Sequence, residues 1–193
     1  MKKVLLFPGA FNPPHYGHVE IIRLALQKKE FDELWIMPSG KRRDKIIDIS
    51  YRHRVNLGKL FVSYLKTQIE LPIILLDNEL SDNKGRYTDE IMSEIKSKKD
   101  VSITQLIGSD GIMNLYNENP SILDKETFVV SQRVGNILPN DFPKKNVDII
   151  NGTSIKISST KIRELIRKHD WQYNKYIPED ISKYINDHNL YGG

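Results

Sequence analysis

Residues 9–18 (GAFNPPHYGH) constrain the fold most, because they join two segments of different periodicity. Before them, residues 4–7 (VLLF) form a short apolar run that predicts a β-strand. After them, the apolar residues of 19–26 (VEIIRLAL) recur at helical spacing. Glycines and prolines fill the stretch between, and both favour turns. The sequence therefore predicts a strand, a tight turn and a helix in direct succession.

This turn has the chemistry of a phosphate site. A helix N-terminus offers unpaired backbone N–H groups and the positive end of the helix dipole. Gly9 allows a ligand to approach the backbone, and Pro13 and Pro14 stiffen the turn before binding. His15 and His18 can both face the opening and donate to phosphate oxygens. The alternatives are surface histidines or a metal pair, and the lack of cysteine and of a third ligand disfavours the metal.

Composition sets limits on the class of protein. A chain of 193 residues suits a single domain, 1–193, with a sizeable core. A net charge of +4 is compatible with a polyanionic ligand or with ordinary surface lysines, and no basic run is long enough to predict nucleic-acid binding. The absence of cysteine excludes disulfides. Because no apolar run is long enough for a signal peptide or a membrane span, we expect a cytoplasmic protein with no membrane partner.

Strand and helix patterns alternate along the chain. The predicted strands are residues 4–7, 33–37, 72–76, 102–107, 127–131 and 147–150. The further helices are predicted to begin near Ser50, Thr88, Ser158 and Pro178. Residues 77–85 are predicted to be a polar loop. This order predicts an α/β fold, a Rossmann-like parallel sheet with helices on both faces, whose ligands bind at the carboxyl ends of the strands.

Two more polar clusters follow predicted strands. Asp110 suits the hydroxyls of a ribose, with Gly108 permitting close approach, although a carboxylate there could also cap a helix. Residues 158–160 (SST) offer hydroxyls and helix N–H groups to a second phosphate, and Arg163 adds a fixed cation one turn later. Taken alone, that second cluster is better explained as a plain N-cap with a surface arginine, whereas together with the His15 and His18 turn the phosphate site is favoured.

Both terminal clusters resemble a known superfamily. Residues 9–18 resemble the G-x-F-x-P-x-H-x-G-H signature of nucleotidyltransferases, with Pro8 where many relatives have glycine, and residues 157–163 resemble its I-S-S-T-x-I-R motif. Residues 108–110, 130–135 and the ending 177–191 follow the order found in nicotinate-nucleotide adenylyltransferases. The resemblance spans nearly the whole chain.

It implies a nucleotidyltransferase fold and transfer of AMP from ATP to nicotinate or nicotinamide mononucleotide, with release of pyrophosphate in NAD biosynthesis. The cofactor implied is Mg²⁺ carried by the substrate phosphates, with no metal held by the protein. The catalytic residues implied are His15, His18 and Arg163. The ATP-binding residues implied are Gly9, Ala10, Phe11, His15, His18, Gly108, Asp110, Ile157, Ser158, Ser159, Thr160 and Arg163. The acceptor-binding residues implied are Ala10, Phe11, Lys45, Tyr87, Thr88 and Arg133.

Departures from the family pattern leave the acceptor open. Residues 41–45 (KRRDK) stand where the family often has P-P-H-K, and residues 86–88 (RYT) stand for its S-Y-T segment. The tryptophan usual after G-x-D is missing. Nicotinate and nicotinamide mononucleotide are both compatible with this pattern, and a homo-oligomer is neither indicated nor excluded. The alternatives are another phosphorylated acceptor, such as phosphopantetheine, for an adenylyl- or cytidylyltransferase, or a non-catalytic nucleotide sensor.

Overall fold

A computed structural model describes residues 1–39, 49–77, 88–132, 135, 137–152 and 154–192, with only the backbone at 88–90. The strands are β1 Lys2–Gly9, β2 Glu33–Pro38, β3 Ile73–Leu75, β4 Val101–Gly108, β5 Thr127–Gln132 and β6 Val147–Asn151. Each lies where the apolar runs predict a strand. The predicted loop over residues 77–85 falls almost wholly outside the described residues.

All six strands form one parallel sheet with the order β3-β2-β1-β4-β5-β6. The chain therefore runs outward from β1 in one direction and then restarts at β4 on the other side. Open α/β sheets bind ligands at such a switch point, outside the carboxyl ends of the strands. The predicted α/β class and the Rossmann-like parallel sheet are confirmed.

The helices that cover the sheet are α1 Tyr16–Lys28, α2 Tyr51–Lys66, α3 Thr88–Lys98, α4 Ser109–Glu118, α5 Ile122–Lys125, α6 Ser159–Arg167 and α7 Glu179–Asp187. Two 3₁₀ segments, Trp171–Lys175 and Leu190–Gly192, flank α7. Ser50 caps α2, since its hydroxyl accepts from the His53 backbone N–H, and Ser158 caps α6 in the same way.

Alternate strand residues divide the core into two layers. Leu5 and Phe7 of β1 face a cluster that contains the apolar residues of α1, α2, α6 and α7. Val4 and Leu6 face the opposite layer, which contains the apolar residues of α3. Farther along that second face, Ile112 of α4 packs on β5. Helices α1 and α4 thus leave neighbouring strands on opposite faces of the sheet.

The sequence pattern did not predict two of the helices, α4 and α5. Helix α4 begins directly after Gly108 and carries Gly111 in its first turn, which weakens its helical pattern. Asp110 is therefore an exposed residue inside the first turn rather than the cap, which is Gly108. Likewise, Pro178 caps α7 from outside and its helix begins at Glu179. In the described part of the chain, no helix has the length and apolarity needed to cross a membrane.

Candidate active site

The turn after β1 lies at the switch point of the sheet. Gly9 pairs with Pro38 of β2, and the β1–β4 register, extended from Leu6 and Gln105, brings Gly9 level with Gly108. Because α1 and α4 depart to opposite faces, a crevice opens between the ends of β1 and β4. The two glycine-containing segments that the sequence singled out therefore come together.

The two histidines form a stacked pair at the start of α1. Their ring centroids lie 3.7 Å apart with an interplanar angle of 27°. His15 precedes the helix and is only 3% exposed, whereas His18 is half-buried. The expectation that both rings face the opening stays a prediction for His15, whose ring is stacked against that of His18 and almost fully buried. His18 presents the more accessible edge of the pair.

A backbone hydrogen bond fixes the orientation of His18. The backbone N–H of His15 donates to Nδ1 of His18 at 3.1 Å. In the neutral ring the proton is then on Nε2, because Nδ1 acts as the acceptor. Phe7 and Phe11 support the ring, with centroids 5.8 and 5.3 Å from that of His18. His18 is thus a hydrogen-bond donor of fixed direction on an apolar base.

The missing side chain of Gly9 makes room for Phe11. A Cβ built on Gly9 would lie 3.1 Å from the ring of Phe11, which fills the space beside the strand. Phe11 is 2% exposed and its φ of +46° is in the left-handed region, which turns its side chain back into the core. Only the backbone of these residues is left for substrate binding.

The N-terminus of α6 is tied to the same turn. Arg163 Nη1 donates to the carbonyl of Asn12 at 2.8 Å, and Ser159 Oγ donates to the carbonyl of Pro13 at 2.8 Å. Arg163 Nη2 also donates to Thr160 Oγ1 at 3.4 Å. The predicted second phosphate cluster is therefore adjacent to the first, although part of its hydrogen-bonding capacity holds the turn. Ile157 is half-buried, with its Cγ2 3.7 Å from the Cβ position of Gly17.

Gly108 and Asp110 lie at the open side of the crevice. A Cβ built on Gly108 meets nothing within 4 Å, so its lack of a side chain is not required by the protein's own packing. Asp110 is exposed in the first turn of α4. Both positions are accessible at the carboxyl end of β4, and their contact with a sugar stays a prediction.

The predicted acceptor residues are only partly described. Lys45, Tyr87 and Arg133 lie outside the described residues, and Thr88 is the first residue of α3. Ala10 is half-buried directly after β1. The binding roles proposed for all five remain predictions.

Sequence reasoning missed Arg54, which lies on α2 and is 5% exposed. Its Nη2 donates to the carbonyl of Ser39 and approaches the carbonyl of Ala10 at 3.5 Å. The guanidinium therefore links the segments that follow β1 and β2. No local signal could reveal it, because arginine in an amphipathic helix is normally a surface residue.

Sequence reasoning also assigned no role to Asn12 and Tyr191. Tyr191 Oη donates to Asn12 Oδ1 at 2.8 Å, and both side chains are buried. The only signal was the resemblance of the chain's ending to the family. Within the described ranges, no three histidine or acidic side chains are grouped so as to hold a metal ion.

Comparisons with known proteins agree with this geometry. Residues 6–165 match the family model described as cytidylyltransferase-like. A probable nicotinate-nucleotide adenylyltransferase of Oceanobacillus iheyensis is 27% identical over 196 residues, which cover 100% of this chain and 98% of the relative. One of Bacillus cereus is 30% identical over 200 residues, covering 99% of both chains. The chain belongs to the nicotinate-nucleotide adenylyltransferases, within the cytidylyltransferase-like family.

Solved structures share the fold of this adenylyltransferase. Nicotinic acid mononucleotide adenylyltransferase of Plasmodium falciparum, complexed with NaAD, has a TM-score of 0.82 at 22% identity and aligns over 100% of this chain and 98% of its own. A putative nicotinate-nucleotide adenylyltransferase from Vibrio parahaemolyticus has a TM-score of 0.70 at 21% identity, covering 99% and 96%. These likenesses extend over the whole sheet and its helices.

Proposed function

We propose that this protein transfers the adenylyl group of ATP to the 5′-phosphate of a pyridine mononucleotide and releases pyrophosphate. The observation that carries the proposal is the convergence of His18 and Arg163 on one turn at the switch point of the sheet, beside the open Gly108. The full-length relatives named nicotinate-nucleotide adenylyltransferases support nicotinate mononucleotide as the acceptor.

The reaction needs positioning and charge stabilisation more than a base. An oxygen of the acceptor phosphate, already anionic, attacks the α-phosphorus of ATP in line. The bond between that phosphorus and the bridging oxygen to the β-phosphate breaks, and the electron pair leaves with pyrophosphate. Negative charge grows on the α-phosphoryl oxygens and on the leaving oxygen. Fixed donors aimed at those oxygens lower the barrier, because they need no reorganisation during the reaction.

We assign His18 Nε2–H to the α-phosphate, since its Nδ1 is occupied by the backbone N–H of His15. His15 stacks beneath it and keeps the ring in place. Arg163 and the first N–H groups of α6, including those of Ser159 and Thr160, would hold the leaving pyrophosphate. Mg²⁺ belongs to the substrate, bound to the phosphates of ATP.

The remaining assignments concern the ribose of ATP and the acceptor. Gly108 and Asp110 would hold the ribose of ATP, whose hydroxyls donate to the carboxylate. The backbone of Ala10, fixed through Arg54, would meet the acceptor, together with Tyr87 and Arg133.

The direct test is pyrophosphate release with MgATP and three acceptors in parallel: nicotinate mononucleotide, nicotinamide mononucleotide and phosphopantetheine. We expect nicotinate mononucleotide to give the highest kcat/KM. Preference for phosphopantetheine, or release with none of them while ATP still binds, would contradict the proposal. Preference for nicotinamide mononucleotide would keep the adenylyl transfer and overturn the choice of acceptor.

His18→Ala tests the assignment of the donor. We expect kcat to fall about 10²- to 10³-fold, the usual effect of removing one donor to transition-state charge. His53→Ala is the matched control, because His53 is also half-buried and its Nδ1 also takes part in a hydrogen bond, 3.0 Å from Tyr184 Oη. Near-normal turnover in His18→Ala, or an equal loss in His53→Ala, would refute the assignment.

A further inference from the structure

The last 3₁₀ segment, Leu190–Gly192, packs against the turn that carries the two histidines. Tyr191 is 6% exposed, and its hydroxyl donates to Asn12 Oδ1 at 2.8 Å across 179 positions of sequence. Asn12 is itself 4% exposed. The end of the chain therefore reaches a buried side chain at the centre of the candidate active site.

Asn12 is the junction of three attachments. Its side chain accepts from Tyr191, its backbone carbonyl accepts from Arg163, and the next carbonyl, that of Pro13, accepts from Ser159. His15 follows within the same turn, and its backbone N–H orients His18. Movement of Asn12 would therefore displace both the guanidinium and the imidazole that face the phosphates.

Backbone conformation shows that both sides of this contact are held by their surroundings. Phe11, next to Asn12, has φ +46°, and Tyr191 has φ +68°. Bulky aromatic residues rarely adopt the left-handed region, which persists only when neighbouring structure imposes it and which occurs often at functional sites. The hydrogen bond between Tyr191 and Asn12 joins these two segments.

We propose that Tyr191 is a positioning residue for adenylyl transfer: its hydroxyl fixes Asn12, and through Asn12 it holds His18 and Arg163 in their catalytic arrangement. The proposal rests on the proposed function. Nothing in it requires Tyr191 to contact a substrate.

Tyr173 provides a matched control within the same chain. It is 3% exposed, and its hydroxyl donates to Asn186 Oδ1 at 2.7 Å. Tyr191→Phe and Tyr173→Phe therefore remove the same group from the same type of acceptor, although Asn12 is buried and Asn186 is exposed. We expect the larger decrease in the urea midpoint for Tyr191→Phe, because it takes a hydrogen bond from a buried acceptor. Only Tyr191→Phe should lower kcat. The expected loss is about tenfold, because the net free energy of one hydrogen bond, lost in the transition state, corresponds to about this factor in rate.

The kinetic constants distinguish misalignment of the donors, which lowers kcat, from weaker ATP binding, which raises KM. We expect KM for ATP to change by less than about twofold in Tyr191→Phe, because ground-state binding does not depend on the fine alignment of the donors. Wild-type kcat in Tyr191→Phe, or the same loss in Tyr173→Phe, would overturn the proposal. In an Asn12→Ala background, Tyr191→Phe should cost no further turnover, and an additive loss would overturn the route through Asn12.

A readout without substrate keeps this inference distinct from the proposed function. In histidine ¹⁵N NMR of the free protein, Tyr191→Phe should shift the ring resonances of His15 and His18, and Tyr173→Phe should leave them unchanged. If the wild type releases no pyrophosphate with any acceptor, the proposed function fails, and these spectra still test whether Tyr191 orients the pair. Unchanged spectra in Tyr191→Phe would refute the positioning role itself.

Discussion

Gly17→Ala should lower kcat strongly while it changes the free energy of unfolding only modestly. Gly17 is buried in the first turn of α1, and a Cβ there would lie 2.9 Å from Nδ1 and 3.0 Å from Cε1 of His15. Real Cβ atoms essentially never approach other heavy atoms within 3.0 Å, so the His15 ring must move. The His15 ring is enclosed, and its centroid lies 3.7 Å from that of His18. The His15 ring therefore cannot move without displacing the His18 ring.

Two opposing effects act on stability, whereas displacement of the His18 donor can only lower activity. Alanine gains up to about 1 kcal/mol over glycine in a helix, and overpacking costs about 1–3 kcal/mol, so the free energy of unfolding should fall by no more than about 2 kcal/mol. Displacing a catalytic donor by a fraction of an ångström to 1 Å costs up to about 10²-fold in rate. We expect a folded protein whose kcat is lower by one to two orders of magnitude, about 10- to 10²-fold.

Urea unfolding and steady-state pyrophosphate release measure the two quantities. Gly58→Ala is the control: Gly58 is a buried glycine in α2 whose Cβ would meet Leu75 Cδ1 at 3.2 Å, away from the histidines. It should perturb stability without the loss of kcat. If Gly17→Ala retains kcat within about twofold of wild type, or if Gly58→Ala loses as much, the reasoning about the stacked pair is wrong.

Two further predictions concern the open glycine and a buried carboxylate. Gly108→Ala places a Cβ in open space, so we expect unchanged stability and a KM for ATP raised about tenfold, with an unchanged KM contradicting contact of ATP with this backbone. The pKa of Glu33 is lowered from its ordinary value of 4.5, first by a hydrogen bond from the Lys2 ammonium and next by one from the Trp35 indole at 2.8 Å. The resulting stabilisation is present above that ordinary value and is lost as pH falls through the lowered pKa. The free energy of unfolding in urea should therefore be larger for wild type than for Glu33→Gln at neutral pH, and the two values should converge in acid. A difference that does not change with pH would refute this.

Local sequence signals were sufficient for the sheet and for the position of the site. Apolar runs predicted the strands, since residues buried on both faces of a parallel sheet are continuous in sequence. The turn at residues 9–18 and the helix opening at Ser158 were predicted because caps, prolines and glycines act over a few residues. The carboxyl ends of parallel strands meet at one edge, so these separate motifs had to come together.

The features that escaped prediction depend on contacts between distant residues. Arg54 contacts the carbonyl of Ala10 from 44 positions away, and Tyr191 contacts Asn12 from 179. Burial of His15 is likewise decided by packing, because its ring stacks against that of His18. Sequence patterns report local geometry and the chemistry of side chains, but they do not report which polar groups the fold itself will use.

The glycines near the site illustrate this limit. The missing side chains of Gly9 and Gly17 make room for Phe11 and His15 of the protein itself. Gly108 alone of these three opens onto unfilled space. Two of the three glycines thus leave room for side chains that contact His18, and the third leaves open space. Because Arg163 and Tyr191 both donate to Asn12, the turn that begins at residue 9 also depends on residues far along the sequence.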